Sequence, residues 1–447
     1  MKGIQINKPV KEVVLVVALG FFWGLPALGA NFYCDPVHGS PQGDGTAERP
    51  WRTVEEVIAA RKIETRDADG KPVNPGAPIK AGDTLWLRSG WHGVIRIAGG
   101  HNAEYITIAA ERGQKPQVGW VEIGGGSRWR IKGLTVSPSL APAPLTKLPR
   151  NLVQLGEHGD ERCHELVVED CFIYSVLDAS QWTARDWVIK PQSGIWLGRQ
   201  GKGHVARNNY VLNTRFGINL CAPEVRCEGN VVANFSADGI RVTRDGQVVR
   251  GNVVKNNFVG DREGDDNHDD GIQAFLFNVG RGTLRGVRIE GNIIVARERD
   301  DLPFPNPLQG IGFFDGPLVQ FVVERNVILI NHYHGITLGD AQQSFVRSNV
   351  VFSRWTAEKP RPWIMLGQKQ KSARGNTVHD NWAHSFSFKD DPEVKEERNQ
   401  MVTESLFRSK MEALLKEIEL EFGALHPVAS RPRLEMPWLN NAGAAEK

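Results

Sequence analysis

The sequence lacks an excess of charge of either sign, because 54 Lys and Arg residues stand against 52 Asp and Glu. The net charge of +2 is carried by residues 1–30, which contain Lys2, Lys8, Lys11 and Glu12. The remainder of the chain is therefore neutral. A nucleic-acid partner would favour a basic surface, so we predict that the protein does not bind nucleic acid.

Long apolar runs are also absent, with one exception near the N-terminus. The run from Val13 to Leu25 follows the three lysines and precedes small residues at 27–30. This order is typical of an export signal, although the run is also close to the length of a membrane anchor. We predict a cleaved signal peptide over 1–30, a secreted or periplasmic protein, and no membrane attachment after cleavage.

Cysteine is scarce, with five residues in the chain. Cysteines suit an oxidising compartment, but five is an odd number, so the thiols cannot all pair within one chain. The spacing allows a Cys163–Cys171 or a Cys221–Cys227 disulfide and does not decide between them.

The chain contains instead a repeated Asn that precedes an apolar pair. The successive steps are 21, 22, 40, 34, 23 and 27 residues, a short period with occasional long steps. Such a pattern indicates a solenoid with loops inserted on particular faces. Asn suits the bend of a coil because it tolerates a left-handed backbone and its amide can hydrogen-bond along the stack. The seven repeats are at Asn209, Asn230, Asn252, Asn292, Asn326, Asn349 and Asn376.

One coil is visible between the second and third Asn of the repeat. Its apolar residues predict strands at Val231–Ala233, Gly239–Thr243 and Val248–Arg250. Three short strands and three turns in each repeat are typical of a parallel β-helix, in which every strand pairs with its copy one coil away. We predict an all-β fold, with the parallel β-helix domain over residues 31–390.

Two helical patterns flank the coils. Val54–Arg61 is a short amphipathic segment that we expect to cap the open apolar end of the solenoid. From Pro392 to Phe422 the sequence is highly charged, with apolar residues on one helical face. We predict a C-terminal helical cap and tail over 391–447 that packs on the solenoid.

The second strand of each coil contains a repeated Gly-Ile pair, and the residue after Ile varies. Side chains alternate along a strand, so if Ile faces the core, the next residue faces solvent. Neighbouring coils lie about 4.8 Å apart, a spacing along which an extended polymer can bind. An exposed Trp in this column would stack its indole on sugar. The predicted external column, which we expect to contact substrate, contains Trp196, Asn219, Arg241, Gln273 and Thr337.

Two consecutive coils carry long loops beside this column. The distance from the repeated Asn to the Gly of the Gly-Ile pair is normally 8 or 9 residues. It is 19 residues from Asn252 to Gly271 and 18 from Asn292 to Gly310. Loops raised next to one face of a rigid scaffold are where function usually lies, so we place the candidate site beside these two coils.

Two N-terminal stretches resemble a known group of proteins. Residues 33–53 contain Tyr-Cys-Asp-Pro, Gly-Asp-Gly-Thr and Pro-Trp-Arg-Thr, and residues 106–118 contain Ile-Thr-Ile and Pro-Gln-Val. These motifs are similar to the opening of secreted right-handed parallel β-helix proteins of the pectate-lyase-like superfamily. The resemblance implies a right-handed parallel β-helix over most of residues 31–390. It leaves the reaction open, because the superfamily contains polysaccharide lyases, glycoside hydrolases and uronate C5-epimerases.

The densest carboxylate cluster lies in the first long loop, within residues 261–270. Such charges repel one another unless they are exposed or neutralised by a cation, and hard oxygen ligands suit Ca²⁺. The resemblance implies an Asp-rich Ca²⁺ site beside the strand column, with Asp238, Asp265, Asp266 and Asp269 as ligands. The alternative is a solvated acidic loop, with Asp238 as an ordinary turn residue.

A lyase also needs a base to remove a carbon-bound proton. The resemblance implies Lys or Arg, and the external column contains Arg241 but no Lys. His268 in the loop is an alternative, because histidine has a pKa suited to neutral pH. His334, which lies two coils past Asp270, is another.

Other reactions fit the same residues. Asp238 and Asp270, on adjacent coils about 4.8 Å apart, are near the carboxylate spacing of retaining glycosidases. A uronate C5-epimerase is a further alternative, although Asp-Asn-His-Asp at 266–269 only partly matches the Asp-Pro-His-Asp of alginate epimerases. A non-catalytic carbohydrate-binding β-helix is the alternative without chemistry.

We predict a monomeric, Ca²⁺-assisted lyase that cleaves a uronate-containing polysaccharide by β-elimination. Arg297 and Arg299, in the second long loop, would bind the uronate carboxylates bidentately. Their alternative role is a surface charge pair with the acidic residues beside them.

Overall fold

The computed structural model describes residues 29–157, 162–259, 269–274, 276, 282–353, 361–367 and 373–401. Across these residues the chain winds into a right-handed parallel β-helix with three long sheets, which we name A, B and C. Each coil passes from sheet A to sheet B to sheet C, and each strand pairs in parallel with its copy in the next coil. The predicted all-β fold is confirmed.

When the three strands of a coil are counted from the repeated Asn, the third strand belongs to sheet A. Its strands along the axis are Asn31–Cys34, Thr84–Leu87, His101–Ala110, Ser127–Lys132, Val167–Glu169, Val205–Arg207, Arg226–Glu228, Val248–Arg250, Arg288–Glu290, Val322–Glu324, Phe345–Arg347, Thr377–His379 and Lys395–Glu397. A small hairpin of Thr65–Arg66 and Pro72–Val73 joins this sheet at His101.

Sheets B and C hold the first and second strands of each coil. Sheet B contains Gly90–Trp91, Pro116–Val118, Thr135–Val136, Phe172–Tyr174, Tyr210–Thr214, Val231–Phe235, Val253–Asn257, Ile293–Val295, Val327–Leu329, Val350–Phe352, Trp382–Ala383 and Gln400–Met401. Sheet C contains Ile95–Ile97, Val121–Ile123, Asn151–Leu155, Ser193–Leu197, Ile218–Leu220, Ile240–Val242, Asp270–Ala274, Gln309–Phe313, His334–Leu338, Trp363–Leu366 and Ser385–Ser387. A short sheet of Leu284–Arg285, Leu318–Val319 and Ala341–Gln342 lies between sheets C and A.

The Ile of each Gly-Ile pair faces the core, as predicted, and these side chains are buried from Ile195 to Ile336. The preceding Gly permits a close approach between sheets. A Cβ on Gly239 would lie 2.4 Å from the Val254 side chain in sheet B and 2.6 Å from the carbonyl oxygen of Gly271. The Gly-Ile pair is therefore a packing motif of the corner where sheets B and C meet.

The repeated Asn forms a continuous ladder at the corner between sheets A and B. In each rung, the backbone N–H and the side-chain Nδ2 of one Asn donate to Oδ1 of the next, at 2.9 to 3.0 Å between Asn209 and Asn230. The predicted hydrogen bonding along the stack is confirmed. The rungs in order are Asn209, Asn230, Asn252, Asn292, Asn326, Asn349, Asn381 and Asn399.

Two details of the Asn prediction are wrong. Asn376 is not a rung, because it precedes the sheet A strand Thr377–His379, whereas the ladder residue Asn381 follows it. Asn376 instead accepts from the Ser344 N–H and donates to Asp391. The left-handed backbone belongs to the residue before each ladder Asn, as at Asp380, where φ is 57°.

Helices are few among the described residues. The capping helix spans Val54–Ala59, shorter at its end than predicted, and buries Val54 and Val57 against the core. Thr53 caps it by accepting from the Glu56 N–H. A second helix, Ala184–Ile189, lies in the corner between sheets B and C, and Pro138–Leu140 forms a 3₁₀ turn. No helix in the described ranges has the length and hydropathy that a membrane crossing requires.

The β-helix extends further than predicted at its C-terminal end. Strands Lys395–Glu397 and Gln400–Met401 continue sheets A and B, so the predicted helix is wrong over 392–401. Residues 402–447 lie outside the described part of the chain, as do residues 1–28. The C-terminal helical tail and the signal peptide stay predictions.

All five cysteines are buried free thiols, so neither candidate disulfide forms. Cys171 instead occupies the start of the Asn ladder, where its N–H donates to Asn209 Oδ1. Burial raises the pKa of the Cys171 thiol to about 12, which keeps it protonated and unreactive.

Candidate active site

The residues of the predicted external column align along sheet C, but Asn219 and Thr337 are buried and do not face solvent as predicted. The strand register pairs Trp196 with Asn219, Asn219 with Arg241 and Arg241 with Gln273. Gln273 then pairs with Gly312, and Gly312 with Thr337. The column is therefore continuous along the axis, and one position in it has no side chain.

Loops from the corner between sheets B and C form a wall beside this column. Phe258 and Val259, at the start of the first long loop, pack with Phe304 of the second and with Trp187 of the helix Ala184–Ile189. A backbone bridge joins Phe258 to Pro305. Both long loops are thus anchored next to the same face, as the repeat spacing predicts.

Asp238 and Arg241 form a buried ion pair in the floor of this groove. Arg241 Nε lies 2.5 Å from Asp238 Oδ2, and the Asp238 side chain is fully buried. The guanidinium also lies 4.1 Å from the centre of the Phe216 ring, a cation–π contact. Asp238 Oδ1 accepts the backbone N–H of Asp270 at 2.9 Å. Both oxygens of Asp238 are therefore engaged by the protein itself.

This pair changes the roles that the sequence predicts for its members. A cation at Asp238 would have to displace Arg241, which already supplies the opposite charge. An arginine held by a carboxylate stays protonated, which makes Arg241 a poor base. Arg241 instead presents a partly exposed positive charge in the external column.

Asp270 is the carboxyl group with a free oxygen in the groove. Its Oδ2 accepts from Gln273 Nε2 at 3.0 Å, whereas its buried Oδ1 has no hydrogen-bond partner among the described residues. The space for Oδ1 exists because position 312 of the column is Gly. A Cβ on Gly312 would lie 1.9 Å from Asp270 Oδ1 and 2.9 Å from the Phe314 ring.

The surroundings of Asp270 favour its protonated form. Burial raises the pKa of Asp270 well above the usual value of a carboxyl, and the charges of Asp238 and Asp269 raise it further. The hydrogen bond from Gln273 and the charge of Arg241 oppose this shift and do not reverse it. A buried carboxyl with a raised pKa in a cleft is the arrangement of a general acid.

Asp269, the neighbour of Asp270, is held by the second long loop. Asn306 Nδ2 lies 2.5 Å from Asp269 Oδ2 and 2.7 Å from the carbonyl oxygen of Val259, and it also contacts Asn257 Oδ1. Asn306 is buried. It therefore joins the bases of the two long loops and fixes Asp269 behind Asp270.

The predicted Ca²⁺ site is not assembled by the described residues. Asp238 is neutralised by Arg241, Asp269 is bound to Asn306, and within the described ranges no three His, Cys, Asp or Glu side chains converge on a point. These donors do not fit a cation site. Asp265, Asp266 and His268 lie outside the described residues, so the part of the prediction that rests on them stays a prediction.

His334 lies on the same face, two coils beyond Asp270, as predicted. Its Nδ1 is 2.8 Å from Thr337 Oγ1, and its ring contacts those of Phe314 and Trp363. Burial lowers the pKa of His334 to about 4, with a further contribution from His332. His334 is therefore neutral at neutral pH and able to accept a proton.

The other predicted substrate-binding residues fall into two groups. Arg297 is buried and donates to the carbonyl oxygens of Asp300 and Leu302, so it supports the second long loop. Arg299 lies 3.4 Å from Asp301 in an exposed ion pair, which is its alternative role. Trp196 and Asn219 lie in the column, where Trp196 Nε1 donates to Glu157 at 2.7 Å.

Three residues of the site escaped the sequence prediction: Gly312, Phe314 and Asn306. Gly312 had a visible signal, because it stands where other coils have a large polar or aromatic residue after the Gly-Ile pair. Phe314 lies between Asp270 and His334, and Asn306 lies in a loop without periodicity. Neither position carries a pattern that sequence alone could detect.

No family model and no curated protein match this chain. Solved structures match it over most of its length at low identity. A structure described as a glycoside hydrolase has a TM-score of 0.50 at 10% identity and covers 86% of this chain and 98% of its own. A rhamnogalacturonan lyase has a TM-score of 0.43 at 13% identity, with coverage of 90% and 95%. A pectate lyase has a TM-score of 0.40 at 11% identity, with coverage of 84% and 79%.

Identities this low bear on the fold alone, and the fold agrees with the coil order and the sheet registers described above. The chain therefore has a right-handed parallel β-helix fold.

Proposed function

We propose that this protein hydrolyses glycosidic bonds of a polysaccharide that lies along the outer surface of sheet C. Asp270 is the general acid of this reaction. The observation that carries the proposal is the buried Asp270 Oδ1, which has no hydrogen-bond partner among the described residues and faces the gap left by Gly312. Burial and the charge of Asp238 raise the pKa of Asp270, which favours the protonated form that a general acid needs.

In this reaction, Asp270 gives its proton to the glycosidic oxygen as the bond to the sugar breaks. The neutral His334 takes a proton from the water that attacks the anomeric carbon. Two coil spacings separate these residues, about 9.6 Å along the axis. The Asp270 carboxyl extends towards Gly312 on the intervening coil, so it lies closer to His334 than the strand spacing alone gives. Inverting glycosidases place their acid and base about 6.5 to 9.5 Å apart to admit the water. Inversion of configuration is therefore the expected outcome.

Other groups hold these two residues and the sugar in place. Gln273 orients Asp270 through Oδ2, which leaves Oδ1 as the proton-bearing oxygen. The hydrogen bond between Thr337 Oγ1 and Nδ1 of His334 fixes the orientation of the imidazole ring and leaves Nε2 as the proposed base. Arg241 and Trp196 of the column offer a charge and an indole to the polymer.

β-Elimination from a uronate is the second candidate. The neutral state of His334 favours it, because the same ring could remove a carbon-bound proton instead of a proton from water. Asp270 would still protonate the leaving oxygen. Since the described donors do not fit Ca²⁺, neither reaction is assigned a step through a metal.

The test is incubation of the purified protein with a panel of neutral and uronate polysaccharides. Reducing ends without the ultraviolet absorbance of an unsaturated uronate support hydrolysis, whereas that absorbance supports elimination. Asp270→Asn should lower kcat at least about 100-fold. Asp178→Asn, an exposed Asp outside the groove, is the matched control. Full activity of Asp270→Asn would refute the proposal.

A further inference from the structure

A cavity of about 500 Å³ lies at the N-terminal end of the same groove. It is bounded by the capping helix Val54–Ala59, the hairpin of Thr65–Arg66 and Pro72–Val73, and Ile95–Ile97, the first strand of sheet C. The cavity therefore opens beside the start of the external column, because Arg96 occupies the column position in that strand.

Apolar and cationic groups share the lining of this cavity. The apolar side consists of Ile58, Ile63, Ile97 and Trp129, with Gly99 and Gly100 beside them. The charged side consists of Arg61, Arg66 and Arg96 with one carboxylate, Asp67. An apolar face next to guanidinium groups suits a ligand that has both an apolar face and a carboxylate.

The arginines differ in how far the protein already neutralises them. Arg96 pairs with Glu122 at 2.9 Å, and Arg66 donates to the carbonyl oxygen of Gly70. Arg61 is exposed and makes no ion pair with any described residue. Asp67 accepts backbone N–H groups of its own loop at 2.9 Å. Positive charge is therefore left over in this cavity.

A neighbouring cavity of about 640 Å³ on the other side of the hairpin provides a contrast. Its cations, apart from the shared Arg66, are already paired with carboxylates. The pairs are Arg128 with Glu165, Arg162 with Asp69 and Lys202 with Glu224. Only the first cavity thus combines an apolar wall with an uncompensated guanidinium among the described residues.

We propose that the cavity at Arg61 binds an acidic sugar unit of the polysaccharide that is cleaved at Asp270. This inference rests on the proposed function for the identity of the polymer. Six register steps along the column separate Arg96 from Gln273, the neighbour of Asp270. At about 4.8 Å per step, the cavity lies about 29 Å from the reacting bond.

A second binding site at this distance acts through the polymer itself. A chain held at Asp270 raises the effective concentration of its own distant units at the cavity, so the two sites multiply their affinities. Oligosaccharides too short to span the distance gain nothing. The guanidinium of Arg61 would bind the carboxylate, and the apolar wall would contact the sugar ring.

The experiment measures binding and not turnover, with Asp270→Asn protein as the background. Two proteins of this background are compared by calorimetry, one with Arg61 intact and one with Arg61→Glu. Each is titrated with polygalacturonate, with short oligogalacturonates and with the neutral polymer dextran. Arg61→Glu should weaken binding of polygalacturonate about ten-fold and leave the short oligomers unchanged. Arg112→Glu, which reverses an exposed charge outside the cavity, is the control and should change nothing.

Equal affinity of the Arg61 and Arg61→Glu proteins for polygalacturonate would overturn the inference, as would an equal loss with dextran. Failure of the wild-type protein to bind polygalacturonate would overturn it as well. The proposed hydrolysis fails separately, if Asp270→Asn retains its rate of bond cleavage. Circular dichroism of each variant checks that the fold is retained.

Discussion

The backbone N–H of Asp270 donates to Oδ1 of Asp238 at 2.9 Å, so a carboxylate in one coil positions the proposed general acid of the next. The other oxygen of Asp238 holds Arg241. Asp238 therefore serves two coils at once without contact with solvent. Its role is to position the groups that the substrate meets.

Removal of this carboxylate should destabilise the protein. Asp238→Ala leaves the partly exposed Arg241 guanidinium without its partner and deprives the buried Asp270 N–H of its acceptor, so we expect a loss of about 2 kcal/mol in the free energy of unfolding. Denaturant titration measures it. The double variant Asp238→Ala/Arg241→Ala should lose less than the sum of the single changes. Additive losses would mean that the ion pair is not coupled.

The rate of the enzyme should depend on pH through two groups. As pH rises through about 4, His334 loses its proton and becomes able to accept one, so kcat/KM rises. As pH rises further, through the raised pKa of Asp270, the general acid loses its proton and kcat/KM falls. The fall of kcat/KM at high pH should be absent from the pH profile of the residual activity of Asp270→Asn. If kcat/KM of this variant still fell at high pH, the titrating group would be a residue other than Asp270.

Stability should also depend on the proton of Asp270. Above the ordinary pKa of Asp, the unfolded chain has lost this proton while the folded protein retains it, so unfolding releases a proton. Stability from this group is present below the ordinary pKa and falls as pH rises towards the raised one. Asp270→Asn should therefore be more stable than the wild type at neutral pH and equal to it in acid. Thermal melts at a series of pH values would detect the opposite order.

A methyl group at position 312 should disable the acid without disturbing the core. The Cβ of Gly312→Ala would occupy the space of Asp270 Oδ1, so we expect kcat to fall about 100-fold with a nearly unchanged melting temperature. Gly310→Ala is the comparison, because its Cβ would meet the Gly335 carbonyl oxygen at 2.2 Å and the Ile328 side chain. That variant should lose stability. Wild-type activity in Gly312→Ala would show that Asp270 does not need the space.

A broken rung should affect stability and not chemistry. Asn230→Ala removes the acceptor of the Asn209 backbone N–H, which stays buried without a partner. It also removes one of the acceptors of Asn209 Nδ2, which still donates to the Val168 carbonyl oxygen. We expect a loss of about 3 kcal/mol in the free energy of unfolding, because buried unpaired groups cost more than the bond itself. Turnover under conditions where the variant is folded should match the wild type. A loss below about 0.5 kcal/mol would contradict the role of the ladder.

The features that recur in every coil could be predicted from the sequence. The spacing of the Asn and Gly-Ile repeats gave the strand order, the inward Ile and the external column, because each depends on a period that the backbone imposes. Asn376 was misassigned because two corners of a coil both accommodate a buried amide, and local sequence does not distinguish them. The ladder amide at that coil belongs to Asn381.

The chemistry of the site could be predicted less well, because it depends on choices between neighbouring side chains. Asp238 was predicted to be a metal ligand, but the structure places Arg241, three residues further along the chain, against it. Arg297 looked like a substrate contact, but it turns inward to the carbonyl oxygens of its own loop. Pairings of this kind depend on side-chain conformations, which do not repeat from coil to coil and so leave no pattern in the sequence.

The Asn ladder makes each coil an exchangeable module. Each rung bonds to the rungs on either side and to a carbonyl oxygen of the preceding coil, as Asn230 does to Ala206. Excision of the 21 residues from one Asn to the next would therefore rejoin Asn209 and Asn252 in the same geometry. The groove can therefore lengthen or shorten by whole coils during evolution while its outward positions stay aligned. If the proposed function is correct, the number of coils sets how many sugar units the groove accommodates.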